Sequence, residues 1–326
     1  MINVTPFQTL KEQLTNERET RLSNAAGRCT FGISFLDDAL VGIFKNDLIL
    51  LAGRSGQGKS EIALHISLTN ALKGKRVYHL ALEAEPNEIG RRMLFKQMAK
   101  LYYAQPFRGD QRPSYLRWYA GEQEEMLGPF HAKAAGELGK FDNLKVYYRG
   151  ADFGMRELEQ IFMSIKGEAD LLVLDHLHYV DFADDNENRA HKDAVKQIRN
   201  LALVHNIPVI LVAHIRKADR RNPVPVPDME DIHGSSDIFK IATKAILIAP
   251  AKDQEVTPET KTYRFPTYFR IAKCRQDGSL NWFVGLTSFD ITRGEYDEQY
   301  VLGDFNAKGD FSQLMQKPYW AKRGKG

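Results

Sequence analysis

Cysteine is nearly absent from this chain of 326 residues. Cys29 and Cys274 are the two that occur, which excludes a disulfide-stapled framework and a cysteine-built zinc site and fits a reducing compartment. Long hydrophobic runs are missing as well. No apolar stretch approaches the roughly 18 residues that a bilayer span requires. The N-terminus also lacks a cationic segment leading into an apolar core, the pattern that directs secretion. The expectation is a soluble cytoplasmic protein with no membrane partner. Net charge is small: Lys plus Arg minus Asp plus Glu is 45 − 42 = +3. That is too little to mark a nucleic-acid binder by bulk charge, so any basic signal must be local. The chain shows no internal repeat and no low-complexity block.

What the chain does have is the makings of a large core, with 43% hydrophobic and 27% charged residues, ordinary values for a globular domain. Short β-branched or aromatic runs at 47–51, 76–82, 144–148, 171–175, 209–213, 245–248, 268–273 and 282–286 read as strands. They alternate with helix-periodic stretches at 60–72, 88–103, 157–166 and 189–205, with Gly74 and Asn206 placed as stops. That alternation predicts an α/β fold, a mostly parallel twisted sheet flanked by helices.

Three regions are expected. Residues 1–29 form a helix and linker, with Pro6, Phe7, Leu10 and Leu14 on one helix and a polar segment over 16–28. This piece is too short to build its own core. It either folds back on its own domain or docks on a neighbouring subunit. Residues 30–306 form the main domain, and 307–326 read as a basic, flexible tail carrying Lys317, Lys322, Arg323 and Lys325. The helix-rich excursion over 114–139 has a composition that assigns it no chemistry.

The sharpest motif is Gly53-Arg54-Ser55-Gly56-Gln57-Gly58-Lys59-Ser60, which fits G-x-x-x-x-G-K-[ST] and lies between an apolar run and an amphipathic helix. Its glycines let successive N–H groups turn toward phosphate oxygens, and the helix N-terminus adds its positive end. Lys59 is placed to reach the terminal phosphates of ATP or another nucleoside triphosphate, and the Ser60 hydroxyl to ligate Mg²⁺. The apolar run 171–175 ends in Asp175, which supplies a second oxygen for that metal. The run 76–82 leads into Glu83-Ala84-Glu85-Pro86. Glu83 is favoured over Glu85 as the base that polarises an attacking water, because Glu85 suits the start of the following helix.

The order of these motifs, followed by His214, Asp231-Ile232-His233-Gly234-Ser235-Ser236 and Lys273-Cys274-Arg275, resembles the RecA-type motor domain of DnaB-like and phage replicative ring helicases. The resemblance runs from about Thr30 to Arg293. It implies that His214 senses the γ-phosphate. It also implies that Lys273 and Arg275, two apart on a strand and so facing one way, reach into the ATP site of the next subunit. The segment with Gly234 and Ser235 would contact nucleic acid, although His233 and Ser236 stand where the family has Arg and Gly. Of the two loops that line the channel in such rings, 176–189 is acidic, whereas Arg216, Lys217, Arg220 and Arg221 suit a phosphate backbone.

The function so implied is an ATP-dependent, ring-forming helicase or translocase on single-stranded DNA. The ring would be hexameric, work in replication in a bacterial or phage-infected cell, and have primase or other replisome proteins as candidate partners. The alternatives are a recombinase-like filament ATPase, or a regulatory assembly ATPase that does not engage DNA.

Overall fold

The computed structural model describes residues 6–23, 25–106, 112–150, 153–177, 187–215, 224–227, 236–251 and 264–325. The strands are β1 (Leu48–Gly53), β2 (Val77–Ala81), β3 (Leu144–Tyr148), β4 (Leu171–Asp175), β5 (Val209–His214), β6 (Lys244–Pro250), β7 (Arg264–Cys274), β8 (Val284–Asp290), β9 (Glu295–Tyr296), β10 (Tyr300–Phe305), β11 (Phe311–Gln313) and β12 (Gly324–Lys325). The helices are α1 (Phe7–Ser23), α2 (Ser34–Leu40), α3 (Lys59–Leu72), α4 (Glu88–Tyr103), α5 (Tyr115–Tyr119), α6 (Glu124–Leu127), α7 (His131–Leu138), α8 (Met155–Ser164), α9 (Glu187–His205) and α10 (Ser236–Ile241).

One sheet carries all the strands, in the order β11-β10-β8-β7-β6-β1-β5-β4-β2-β3, with β12 on β10 and β9 on β8. The six strands from β6 to β3 run parallel. The β6–β7, β7–β8, β8–β10 and β10–β11 pairs are antiparallel. Why the central strands read as unbroken apolar runs is visible in β1, where every residue is buried. Leu48, Leu50 and Ala52 face a core shared with Leu158 and Phe162 of α8 and Val195 and Ile198 of α9. Ile49 and Leu51 face the opposite core, with Ile62 and Ile66 of α3 and Phe31 and Phe35. Successive strand residues point to opposite faces, and helices cover both faces here, so both faces of β1 carry apolar side chains.

The expected helix and strand stops hold: Gly74 (φ 76°) and Asn206 (φ 56°) both take the left-handed conformation that ends a helix. Two expectations need correction. The N-terminal helix does not stop before the polar segment but runs on to Ser23, and Phe7, Leu14 and Leu22 along it stay exposed. Folding back to bury these residues is therefore not what the described chain does. The supposed flexible tail is built into the sheet: β11 and β12 both pair with β10. Trp320 is only 8% exposed and packs against Phe35 and Phe283. Burial of that indole outweighs the solvation of the neighbouring lysines, which keep their charged heads outside. Among the described residues no helix is long and apolar enough to cross a membrane.

Candidate phosphate-binding site

The turn after β1 curls through Gly56 (φ 73°) and Gly58 (φ 84°), conformations that side-chain-bearing residues rarely adopt, and opens directly into α3. The Gln57 side chain accepts from the Arg54 N–H at 2.7 Å and pins the loop. Register sets what faces the loop. Gly53 of β1 pairs with His214 of β5, and Ala81 of β2 pairs with Asp175 of β4. These four strands are neighbours in the sheet, so their carboxyl ends deliver Lys59, Ser60, Glu83, Asp175 and His214 to one place. The crevice beyond the carboxyl ends of parallel strands is where such sheets hold ligands.

All five line a single cavity of about 560 Å³, together with Ser55, Gly56 and Gly58. The Ser60 hydroxyl donates to Asp175 Oδ1 at 3.2 Å. The Lys59 ammonium donates to the Arg54 carbonyl at 3.0 Å and lies 3.0 Å from His214 Nδ1. Burial lowers the Lys59 pKa to about 8, against the opposing pull of Asp175 and Glu83. Burial likewise raises Asp175 to about 7, helped by Glu83 and resisted by the Ser60 hydrogen bond and by Lys59. Lysine and aspartate are therefore both pushed toward neutrality inside one cavity. An anion beside Lys59 and a divalent cation on Asp175 would restore both charges, and the hydroxyl and carboxylate oxygens of Ser60 and Asp175 suit Mg²⁺.

Glu83 stands just past β2 with its carboxylate 2.7 Å from His176 Nε2. Glu85, the less favoured carboxylate, is engaged by Arg91 at 3.4 Å beside the start of α4. Lys273 and Arg275 do not line this cavity. Lys273 donates to the carbonyls of Phe239 and Lys240 at 2.8 and 2.7 Å, and Arg275 to that of Ile241 at 3.4 Å, so both reach the carboxyl end of α10. Arg216, Lys217, Arg220, Arg221, Gly234 and Ser235 lie outside the described residues.

Two histidines escaped the sequence reading. His176 follows Asp175 in a left-handed turn (φ 78°) that buries its ring against His214, with centroids 4.3 Å apart. His79 is fully buried in β2. Its Nδ1 meets the Ser67 hydroxyl at 2.9 Å, and its Nε2 lies 4.0 Å from Asp175 Oδ2. Burial holds its pKa down at about 4, so it stands neutral behind Asp175. A second cavity, of about 760 Å³, adjoins the first across Gly56, Gly58, Glu61 and Arg92. It is lined by aromatic residues that include Phe95, Tyr115 and Tyr296.

A glycine-rich turn between a buried strand and a helix, facing the ends of neighbouring parallel strands, defines a P-loop ATPase core of RecA-like arrangement. The AAA domain family matches residues 16–220, more than half of the chain, and the chain belongs to that family. Among curated proteins it is similar to the replicative DNA helicase DnaC of Bacillus subtilis (strain 168), 24% identical over 249 residues, which is 72% of this chain and 51% of that protein. It is also similar to a probable plasmid replicative DNA helicase of Chlamydia psittaci, 25% identical over 234 residues, which is 71% of this chain and 48% of that protein. The chain thus spans about half the length of the curated relatives it matches.

Among solved structures, an ATPase domain aligns with TM-score 0.65 at 16% identity, covering 96% of this chain and all of that one. A DnaB-like replicative helicase, described with its interactions with primase, aligns with TM-score 0.60 at 18% identity, covering 96% of this chain and 68% of that one. The resemblance to the motor domain of DnaB-like helicases and the RecA-like fold are both borne out.

Proposed function

We propose that the chain is the ATP-hydrolysing motor of a replicative DNA helicase, a ring that travels on single-stranded DNA with its ATP sites between subunits. The observation that carries this reading is the meeting of Lys59, Ser60, Glu83, Asp175 and His214 in one cavity at the ends of four neighbouring strands. In the proposed reaction the backbone of residues 53–60 cradles the phosphates. Lys59 leaves the Arg54 carbonyl and His214 to reach the β- and γ-oxygens, and His214 is freed to report on the γ-phosphate. Ser60 and Asp175 would hold Mg²⁺, which would supply charge neutralisation for phosphoryl transfer. Glu83 takes the proton of the attacking water, with His176 holding the carboxylate in place.

Arg275 and Lys273 would act on the site of the next subunit, releasing the end of α10 to do so. The exposed apolar residues of α1 would serve as the arm that docks on a neighbour. The same likeness to replicative helicases favours primase or other replisome proteins as partners.

The test is ATP hydrolysis and forked-duplex unwinding by the purified chain, with and without single-stranded DNA. DNA should stimulate hydrolysis, and Lys59→Ala should abolish both activities. Arg275→Ala should bind nucleotide normally yet lose about 10³-fold or more in rate. Equal rates with and without DNA, or normal unwinding by the Arg275 variant, would overturn the reading.

A further inference from the structure

Within the cavity, and apart from the oxygens of Ser60 and Asp175, three further donor groups converge. Glu83 comes from beyond β2, His176 from beyond β4, and His214 from the end of β5. One ligand atom from each lies within 4.8 Å of the others. Glu83 Oε2 is 2.7 Å from His176 Nε2 and 4.0 Å from His214 Nε2. The two imidazoles stack at 4.3 Å with 13° between their planes, and the Nε2 of each is the ring nitrogen near the Glu83 carboxylate. We propose that Glu83, His176 and His214 form a binding site for a transition-metal ion of the Zn²⁺ class, and that an ion held there arrests hydrolysis.

The donor chemistry selects the ion. Two imidazole nitrogens and one carboxylate, with a fourth position open, form a set that suits Zn²⁺. Mg²⁺ demands an octahedron of oxygens and keeps to the oxygens of Ser60 and Asp175. The dimensions agree too. Ligand atoms placed tetrahedrally at zinc–nitrogen bond lengths stand about 3.4 Å apart, and the 2.7 and 4.0 Å separations fall on either side of that value.

A metal ion lies in the plane of each imidazole it binds, so one ring must turn out of the stack for both to share an ion, and the exposures show which groups can move. The His176 side chain is 4% exposed and acts as the fixed anchor, whereas Glu83 at 45% and His214 at 27% have room to close on it. His176 Nε2 is also 3.2 Å from the Ser60 hydroxyl and 3.5 Å from Asp175 Oδ1, so the two metal positions are neighbours that share one wall.

The consequence follows from the protons. An ion on His214 Nε2 leaves the ring proton on Nδ1, so His214 can no longer accept from Lys59 and cannot answer to phosphate. Glu83, spent as a ligand, can no longer take a proton from water. The binding of the ion rests on geometry alone; its effect on hydrolysis rests on the proposed function.

Calorimetric titration of ZnCl₂ into the chelator-stripped full chain, without nucleotide, tests the site. One ion per chain should bind, and millimolar Mg²⁺ should not displace it. Glu83→Gln and His214→Asn should each weaken binding by at least about a hundredfold with circular dichroism and melting temperature preserved. These two partly exposed positions are chosen because His176 sits in a buried turn that a substitution could unfold. Absence of one-equivalent binding, indifference to both substitutions, or displacement by Mg²⁺ would overturn the site.

In a parallel assay at constant Mg²⁺ and ATP, Zn²⁺ should stop hydrolysis and a chelator should restore it. Binding without inhibition would overturn the arrest and leave the site standing. A chain that never hydrolyses ATP counts against the proposed function instead, and the calorimetry still decides the site.

Discussion

Two buried lysines stand at opposite ends of the central sheet, and the chain treats them differently. Lys244 opens β6 and is 1% exposed; Lys59 follows β1 and is 3% exposed. The Lys244 ammonium meets Asp47 Oδ2 at 2.5 Å and the Gly42 carbonyl at 3.3 Å, and lies 4.3 Å from the centre of the Phe44 ring. Asp47 is held in turn by Thr243, Gln276 and the Phe44 N–H. Lys244 and Asp47 thus both find their partners within the fold. At the other end the Lys59 ammonium rests on a carbonyl and an imidazole, while the Asp175 carboxylate meets the Ser60 hydroxyl at 3.2 Å and lies 3.5 Å from His176 Nε2, with no lysine or arginine against it among the described residues. Burial lowers both lysines, but only Lys244 has a carboxylate in direct contact to pull it back. A closed pair holds strands together, whereas an open pair is poised for a ligand of both signs.

The contrast can be broken most forcefully at Lys244. Lys244→Ala leaves Asp47 buried and unpaired, and breaking such a pair costs about 3–5 kcal/mol. The variant should melt well below the parent or fail to fold, as read by thermal denaturation. Replacing both partners with apolar residues, Lys244→Met with Asp47→Leu, should recover most of that loss, because no unpaired charge remains. A single Lys244→Ala variant as stable as the parent would erase the distinction between the two ends.

At the open end the expected sign is reversed. Asp175 is raised from 3.8 to about 7 in the fold, so its ionisation costs stability. The penalty is absent below pH 4, grows as pH rises from about 4 to 7, and is complete above 7. Asp175→Asn removes the charge and keeps the shape. The nucleotide-free variant should therefore be more stable than the parent at pH 8, by about 1–3 kcal/mol, and inactive in hydrolysis. The gap should close as pH falls toward 4. A variant less stable than the parent at pH 8 would mean that Asp175 is satisfied without metal.

How much of this was readable from the sequence depended on how local each signal is. The phosphate loop was legible because its spacing, its glycines and the flanking strand and helix lie within about 25 residues. Asp175 was legible as the end of an apolar run beside the phosphate loop, whereas His214 was singled out only through the order of motifs that the resemblance supplies. His176 was not: a histidine directly after a strand-end aspartate reads as loop, and only the left-handed turn at that position carries its ring inward. A polar residue beside two apolar ones in β2 was the available hint for His79. The strands β9, β11 and β12 escaped because they span only two or three residues, and β10, as long as β1, because Gly303 and Asp304 interrupt its apolar run. The lysines after residue 316 masked Trp320 and Ala321, whose burial fixes the end of the chain.

The finest cut on the comparison falls on Thr243, which links the closed pair to the backbone. Its hydroxyl accepts from the Leu48 N–H at 3.1 Å and donates to Asp47 Oδ1 at 2.9 Å. Thr243→Val keeps the shape, leaves that N–H with no side-chain acceptor, and strips Asp47 of one donor. Leaving a buried polar group unsatisfied costs about 1–3 kcal/mol. Asp47 keeps Lys244, Gln276 and the Phe44 N–H, so the loss should fall in the lower half of that range. Hydrolysis should continue at the parent rate, because the carboxyl ends of β1, β2, β4 and β5 are untouched. A change in rate without a change in melting temperature would mean that the two ends of β1 are coupled, and the division between a structural end and a chemical end would then fail.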